Sequence, residues 1–401
     1  MRVENWLPLL IVVFLMGAYL NLPWMVFFST AISSVIGIAQ LWKERSTNDI
    51  TYTRRFHYIR GFPGEQTTVQ LEVQNNKWLP LSWLRVVDMW PMGTPTADPE
   101  LLRQTNIQGK GELTNAYSLK WHDKIQRKFN VVFKTRGIYP VGPAKITTGD
   151  FFGLYDKTIE TRQEQYLTVF PEIFPMEKLK LNTHDPFRDR ATQRRLFEDP
   201  NRPVGIREYH PEDGMKRIHW SATARTGSLQ VKVYQPVTAR VMMVCLNVAT
   251  SIQPWLGINS EMLEQLVKIA ASVAYNSVED GYSVGLIANG CLAHSDQPFN
   301  IAPGRTPLQL ASLLQALAGV TSYVTAPFEI FLNKAMSKAP YGATIVIITS
   351  VISDNLIETL IRLKRYRPNI TLFSLAENSP PVIQGIQTIH LPYSGEMVAH
   401  A

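Results

Sequence analysis

The residues whose types could do chemistry crowd into residues 205–236, GIREYHPEDGMKRIHWSATARTGSLQVKVYQP. Asp213 has two candidate guanidinium partners, Arg207 and Arg225, and either could form a bidentate, charge-assisted pair with it. His219 stands beside Trp220, as a buried hydrogen-bonded imidazole or, in the sharper reading, as a catalytic acid–base group. A hydrolytic site would draw on His219, Asp213 and Glu212, and it requires them to converge in an open cleft with a shifted histidine. No Ser or Cys nucleophile with a plausible base is evident, and no HExxH pair offers a metal site. The stretch therefore reads first as structural or partner-binding, with no catalytic residue assigned.

The elements that must position these residues differ on either side. From 237 onward, apolar runs alternate with helical periods. Strands are expected at 240–248, 283–289, 344–350 and 369–376, and helices at 260–278, 307–318, 323–337 and 354–366. Thr306 and Pro307 form a cap and first-turn proline for the second helix. This alternation predicts an open, doubly wound α/β sheet, with a further strand at 388–391. Ligands of such sheets bind at the carboxyl ends of the strands. Residues 43–175 read instead as short strands at 67–75, 81–90, 113–121, 125–133 and 166–170, joined by Gly- and Pro-rich turns. Several half-buried strands need a second apolar layer, so a β-sandwich-like domain is the simplest solution. The basic-aromatic run KTRGIYPVG at 134–142 reads as a strand ending on Gly137 and turning at Pro140. The region 176–236 connects the two domains. It is rich in arginine (Arg188, Arg190, Arg194, Arg195, Arg202 and Arg207) with interleaved acids, so ion pairing within the chain is expected there.

The hallmark pattern of Arg207, Tyr209, Pro211, Asp213, Arg217, Ile218, His219, Trp220, Ala224, Arg225 and Leu229 resembles the DUF58 family. Glu212 stands where the family usually has glycine, and Lys216 replaces a common arginine. The run GDFFGLYD at 149–156 resembles another element of that family. The resemblance implies a von Willebrand factor A-like domain and work alongside a MoxR-type AAA+ ATPase. A metal-binding A domain carries Asp-x-Ser-x-Ser after its first strand, a hard-oxygen set suited to Mg²⁺. Here the matching residues are Asn247, Ala249 and Ser251, while Thr306 and Ser350 fall near the other two ligand positions. Loss of the carboxylates removes most of the attraction for a divalent cation, so neither a metal nor another cofactor is expected.

The first 42 residues have another character. Trp6–Leu20 and Trp24–Trp42 carry no charge, Asn-Leu-Pro separates them, and Lys43 opens a charged run. A transmembrane helical hairpin over 1–42 is expected, with lipid as its partner and its soluble part on the cytoplasmic side of the inner membrane, because Arg2, Lys43, Arg45, Arg54 and Arg55 flank it. A cleaved signal peptide, one long tilted helix and a buried soluble hairpin are the alternatives. The chain of 401 residues has a net charge of +7 and 18% charged residues, against ~25% in an average soluble chain. No aromatic-interleaved basic stripe, zinc finger or recognition helix points to nucleic acid. Cys245 and Cys291, each in an apolar run, read as buried small hydrophobes. The chain is thus expected to be multidomain: hairpin 1–42, β-rich domain 43–175, connecting segment 176–236 and α/β A-like domain 237–401. It is read as a membrane-anchored interaction or assembly protein, with a membrane-bound hydrolase as the alternative.

Overall fold

The computed structural model describes residues 6–150, 154, 156–175, 197–211, 213–237, 241–253, 257–292, 298–337, 343–366 and 369–391. The chain forms two compact units, Met1–Pro171 and Glu172–Ala401. The architecture is multidomain and α/β, consistent with an A-like fold in its second unit. Most of the arginine-rich stretch (188, 190, 194 and 195), Glu212 and the GDFFGLYD run except 149, 150, 154 and 156 lie outside the described residues.

The first unit opens with α1 (Leu7–Tyr19) and α2 (Pro23–Ser46). Asn21 closes the turn between them in the left-handed conformation, which asparagine tolerates better than most residues. A Cβ on Gly17 would come within 2.8 Å of the Met25 Cβ, so only glycine permits this approach of α1 to α2. Among the described residues, only α2 is a helix long and apolar enough to cross a membrane. At 13 residues α1 reaches about 20 Å, short of the ~30 Å hydrocarbon core. The expected two-span hairpin thus becomes one candidate spanning helix with a shorter apolar helix before it.

The strands follow: β1 (Ile50–Phe56), β2 (Arg60–Gly61), β3 (Gln66–Asn75), β4 (Leu81–Pro91), β5 (Leu102–Gln104), β6 (Lys110–Leu119), β7 (Lys124–Val132), β8 (Gly137–Val141), β9 (Ala144–Gly149), β10 (Asp156–Thr161) and β11 (Gln165–Val169). They form sheets ordered β1-β3-β7, β10-β9-β4-β6-β5 and β2-β11-β8. Alternate residues Val69, Leu71 and Val73 of β3 meet Leu84, Val86 and Trp90 of β4 and Leu113 and Leu119 of β6 in one core, as half-buried strands require. The 134–142 run departs from expectation. Gly137 opens a strand instead of closing one, and Pro140 lies inside β8, an edge strand where a missing N–H is tolerated.

Inside this core sits a buried ion pair. Arg54 donates to both carboxylate oxygens of Asp88, at 2.6 and 2.8 Å, and the Tyr52 hydroxyl donates to Asp88 at 2.8 Å. Burial opposes the Arg54 charge, but the bonds to Asp88 outweigh it and hold the guanidinium pKa up. Burial, reinforced by Asp88, raises that of Tyr52.

The second unit contains β12 (Phe197–Glu208), α3 (Trp220–Thr226), β13 (Gln230–Val237), β14 (Val241–Leu246), α4 (Ser260–Glu279), β15 (Ser283–Leu292), β16 (Pro298–Gly304), α5 (Pro307–Ala318), β17 (Val320–Val324), α6 (Phe328–Met336), β18 (Thr344–Thr349), α7 (Asp354–Tyr366), β19 (Ile370–Ser374) and β20 (Gln387–His390). The main sheet runs β16-β15-β14-β18-β19-β20, with β17 added on β15. Successive residues of β14 serve opposite faces. Met243 and Cys245 pack with α6 and α7 residues Phe328, Leu332, Leu356 and Leu360, while the Ser277 hydroxyl of α4 meets the Met242 sulfur. Both cysteines are buried and neither forms a disulfide, and burial pushes the Cys245 thiol up. Two expectations change. The sheet is mixed, because β16 and β17 run antiparallel to β15. The helix expected over 323–337 starts only at Phe328, since Thr321, Tyr323 and Val324 are β-forming residues taken into β17 and Pro327 precedes the first turn.

Candidate functional site

Within the second unit the hallmark has a two-stranded sheet of its own. Strands β12 and β13 pair antiparallel, and α3 bridges the connection between them. Arg207, near the end of β12, donates to both oxygens of Asp213, at 2.7 and 2.6 Å, and the His210 N–H adds a third bond at 2.9 Å. These bonds from Arg207, then His210, hold the Asp213 carboxyl below its ordinary pKa. Of the two expected pairings, Arg207 takes Asp213. Arg225 instead sits exposed in the last turn of α3, where a cation complements the helix dipole.

His219 caps α3. Its Nδ1 accepts the Ala222 N–H at 3.1 Å, with the Ser221 hydroxyl 3.3 Å away. One imidazole lone pair therefore serves the helix N-terminus, in the way Ser or Asp usually does. Gly227 ends the helix in the left-handed conformation. His219 is half-buried, and Trp220 beside it in sequence is 68% exposed. Asp213 and His219 thus answer to different partners, the first to Arg207 and the second to the α3 backbone, and Glu212 lies outside the described residues. Tyr209 is half-buried and its N–H donates to the Leu229 carbonyl. Pro211 and Arg217 are exposed. Exposed apolar side chains recur through the same unit: Ile206, Met215 at 79%, Trp220 and Leu229.

The carboxyl ends of β14, β15 and β18 carry the second group. The Asn247 Nδ2 donates to Thr349 at 3.0 Å, and its Oδ1 accepts the Ala249 N–H at 3.1 Å and the Asn289 Nδ2 at 3.0 Å. Asn289 in turn accepts the Val248 N–H at 2.9 Å. The Ser350 hydroxyl donates to the Ala249 carbonyl at 3.0 Å, and the Ser251 hydroxyl accepts the Gln253 N–H at 3.2 Å. The residues do not fit a magnesium ion: the Asn247 oxygen is spent on two donors, Ala249 has no side-chain oxygen, and no carboxylate stands among them. Thr306 does not join this group. It follows β16, whose end at Gly304 pairs with Val284 at the start of β15, so it lies at the opposite end of the strands from Asn247 and Ser350. The sequence alone did not single out Asn289 and Thr349. Their only signal was a polar residue closing an apolar strand.

Beyond that network, a groove of about 580 Å³ opens between the loop after β14, the start of α7 and the loop after β19. Thr250, Ser251, Ser350, Asp354, Glu377 and Pro381 are among its walls. Among the described residues, no group of three or more His, Cys, Asp or Glu is placed to hold a metal.

Residues 205–378 match the family described as "Protein of unknown function DUF58". The matched segment includes the hallmark, the Asn247 network and most of the groove wall, but not Pro381. The chain is also 18% identical over 230 residues to "Uncharacterized protein YeaD" of Bacillus subtilis (strain 168), covering 57% of this chain and 52% of that protein. The chain thus spans about half the length of the curated relative it matches. Among solved structures, the CARDB domain of the PF1109 protein from Pyrococcus furiosus is 12% identical, covering 30% of this chain and 92% of that one, with a TM-score of 0.20. The sporulation control protein Spo0M of Bacillus subtilis is 15% identical, covering 41% and 58%, also at 0.20. At such scores neither likeness bears on the fold.

Proposed function

We propose that this chain is a membrane-anchored, non-enzymatic interaction protein whose DUF58 segment presents the hallmark to a protein partner, a MoxR-type AAA+ ATPase. One observation carries the reading. The hallmark spends its chemically capable groups on its own fold, Asp213 on Arg207 and His219 on α3, and turns its aromatic, aliphatic and basic side chains outward. Exposed tryptophan and arginine are the residues enriched where binding energy concentrates. The Asn247 network supports the same reading, because an uncharged amide–hydroxyl cluster leaves the strand ends as a surface and not an ion site.

The apolar α1–α2 pair is the anchor in this proposal, entering the inner membrane as a hairpin. Lys43 and Arg45 at the end of α2 favour the cytoplasmic side for the rest of the chain. The test is direct binding of the detergent-solubilised full chain to a purified MoxR-type ATPase from the same organism, with ATP. Trp220→Ala and Arg225→Ala, both exposed changes, are expected to weaken binding while leaving the melting temperature unchanged. No binding by the wild type, or equal binding by folded variants, overturns the proposal.

A further inference from the structure

The end of α2 is locked to one end of the β-domain. Lys77 donates from its ammonium to the carbonyls of Ser46 and Asn48, both at 2.5 Å, and the Asn76 N–H donates to Asp49 at 2.9 Å. The loop between β3 and β4 therefore rests against the last turn of α2. The loop between β6 and β7 rests on it in turn. The His122 N–H donates to the Lys77 carbonyl, and Asn75 donates to the Leu79 and Lys120 carbonyls. Strand register places both loops at the same end, since Ile50 pairs with Asn75, Leu81 with Leu119 and Lys124 with Gln74.

Each of these loops exposes a tryptophan. Trp78 is 78% and Trp121 60% exposed, and the Trp78 ring meets His122 edge-on at 5.0 Å. Two exposed indoles on adjoining loops make an apolar patch, the kind of surface that marks a contact site. Beside them, α2 shows exposed apolar side chains from Trp24 to Leu41, a length of about 26 Å, which ends where Lys43 and Arg45 begin. A bilayer around that face places its headgroup layer level with the last turn of α2, where Lys77 holds the two loops. An indole, with an apolar body and one N–H donor, is best solvated in that layer.

The geometry points to a lipid-contacting surface on the β-domain: the loops carrying Trp78 and Trp121 sit in the phospholipid headgroup layer beside α2. This rests on the proposal that α2 enters the membrane. The charges at this end are mixed, with Lys77, Lys120 and Lys124 against Asp49 and Asp123, so the indoles and not net charge carry the contact. It holds the β-domain against the leaflet instead of leaving it to swing from a tether.

The test uses the full chain in lipid nanodiscs with no other protein. Spin labels go on Asn76→Cys and Lys120→Cys, which keep both indoles. Ile107→Cys, beyond the far end of β6 and roughly 30 Å away along the strand, is the aqueous reference. Phe28→Cys, on the exposed face of α2, is the lipid reference. The native cysteines are buried and stay unlabelled. Expected is an oxygen-to-nickel-chelate accessibility ratio several-fold higher at 76 and 120 than at 107, falling toward the 107 value when Trp78→Ala and Trp121→Ala are added. Aqueous values at 76 and 120 with a lipid value at 28 overturn this inference alone. An aqueous value at 28 overturns it together with the membrane proposal. Unchanged ratios in the double alanine variant overturn the role of the indoles.

Discussion

Arg207 and Asp213 face each other across the turn that follows β12, joined by two hydrogen bonds of 2.7 and 2.6 Å. The pair fixes the entry to the hallmark, and its planar fork explains why the position takes arginine. Lysine offers a point charge with no bidentate match to a carboxylate. Arg207→Lys is therefore expected to speed amide exchange at His210, whose N–H shares the Asp213 carboxylate, while the exchange of β14 and β18 stays as in the wild type. Exchange measured residue by residue checks this.

The same pair sets a pH dependence. Its bonds to Arg207 and His210 hold the Asp213 pKa below the ordinary 3.8. The contribution is fully present above that ordinary value and is lost as pH falls through the lowered one. Protection of the His210 amide should hold down to the ordinary carboxylate range and collapse below it. In Asp213→Asn, the acid-dependent loss should be absent and protection low throughout.

Lys77 carries the opposite sign. Burial pushes its pKa down from 10.5 to about 8. Below pH 8 it is charged in both the folded and unfolded states, and the folded state bears the cost. Between about 8 and 10.5 the unfolded chain binds more protons, so stability rises with pH. The melting temperature of the first unit is expected to gain over that window in the wild type relative to Lys77→Met, and parallel curves for the two would refute the assignment.

Asp88 offers a test of magnitude. Its side chain and that of Arg54 are 1% and 2% exposed. Removing one partner of a buried pair leaves the other charge uncompensated and costs about 3–5 kcal/mol. Asp88→Asn is expected to lower the stability of the first unit by that order in denaturant unfolding. An apolar replacement of both partners should cost less than Asp88→Asn alone.

Asn247→Asp examines the strand ends. The aspartate cannot donate to Thr349, and it brings a charge into a site whose neighbours supply no compensating cation. A loss of about 1–3 kcal/mol is expected from the broken bond, and magnesium should not restore it, since Ala249 still offers no oxygen. Thermal melting with and without magnesium decides this. Full recovery with magnesium would show that a metal site had lacked only the carboxylate.

Much of the fold was legible from period and turn chemistry. The alternation of Val69, Leu71 and Val73 marks β3, and the apolar spacing from Met262 to Val273 marks α4, because local side-chain patterns report one buried face. The sequence alone also determined that 205–236 concentrates groups of unusual chemistry, that residues 247–251 carry no carboxylate, and that an apolar N-terminal segment precedes the β-strands. It did not determine which arginine meets Asp213, because Arg207 and Arg225 offer the same group and only the path of the turn selects one. Nor did it place Asn289 and Thr349 around Asn247. Those partners stand 42 and 102 residues away, and strand order alone brings them together. Thr306 shows the same limit in reverse. It stands before Pro307 at the start of α5 as expected, but its side chain makes no capping hydrogen bond, and the antiparallel course of β16 carries it to the other end of the strands from Asn247. The exposed ring of Trp78 also became meaningful only once Lys77 was seen to bind the end of α2, since exposure and proximity are properties of the packed chain and leave no local trace in the sequence.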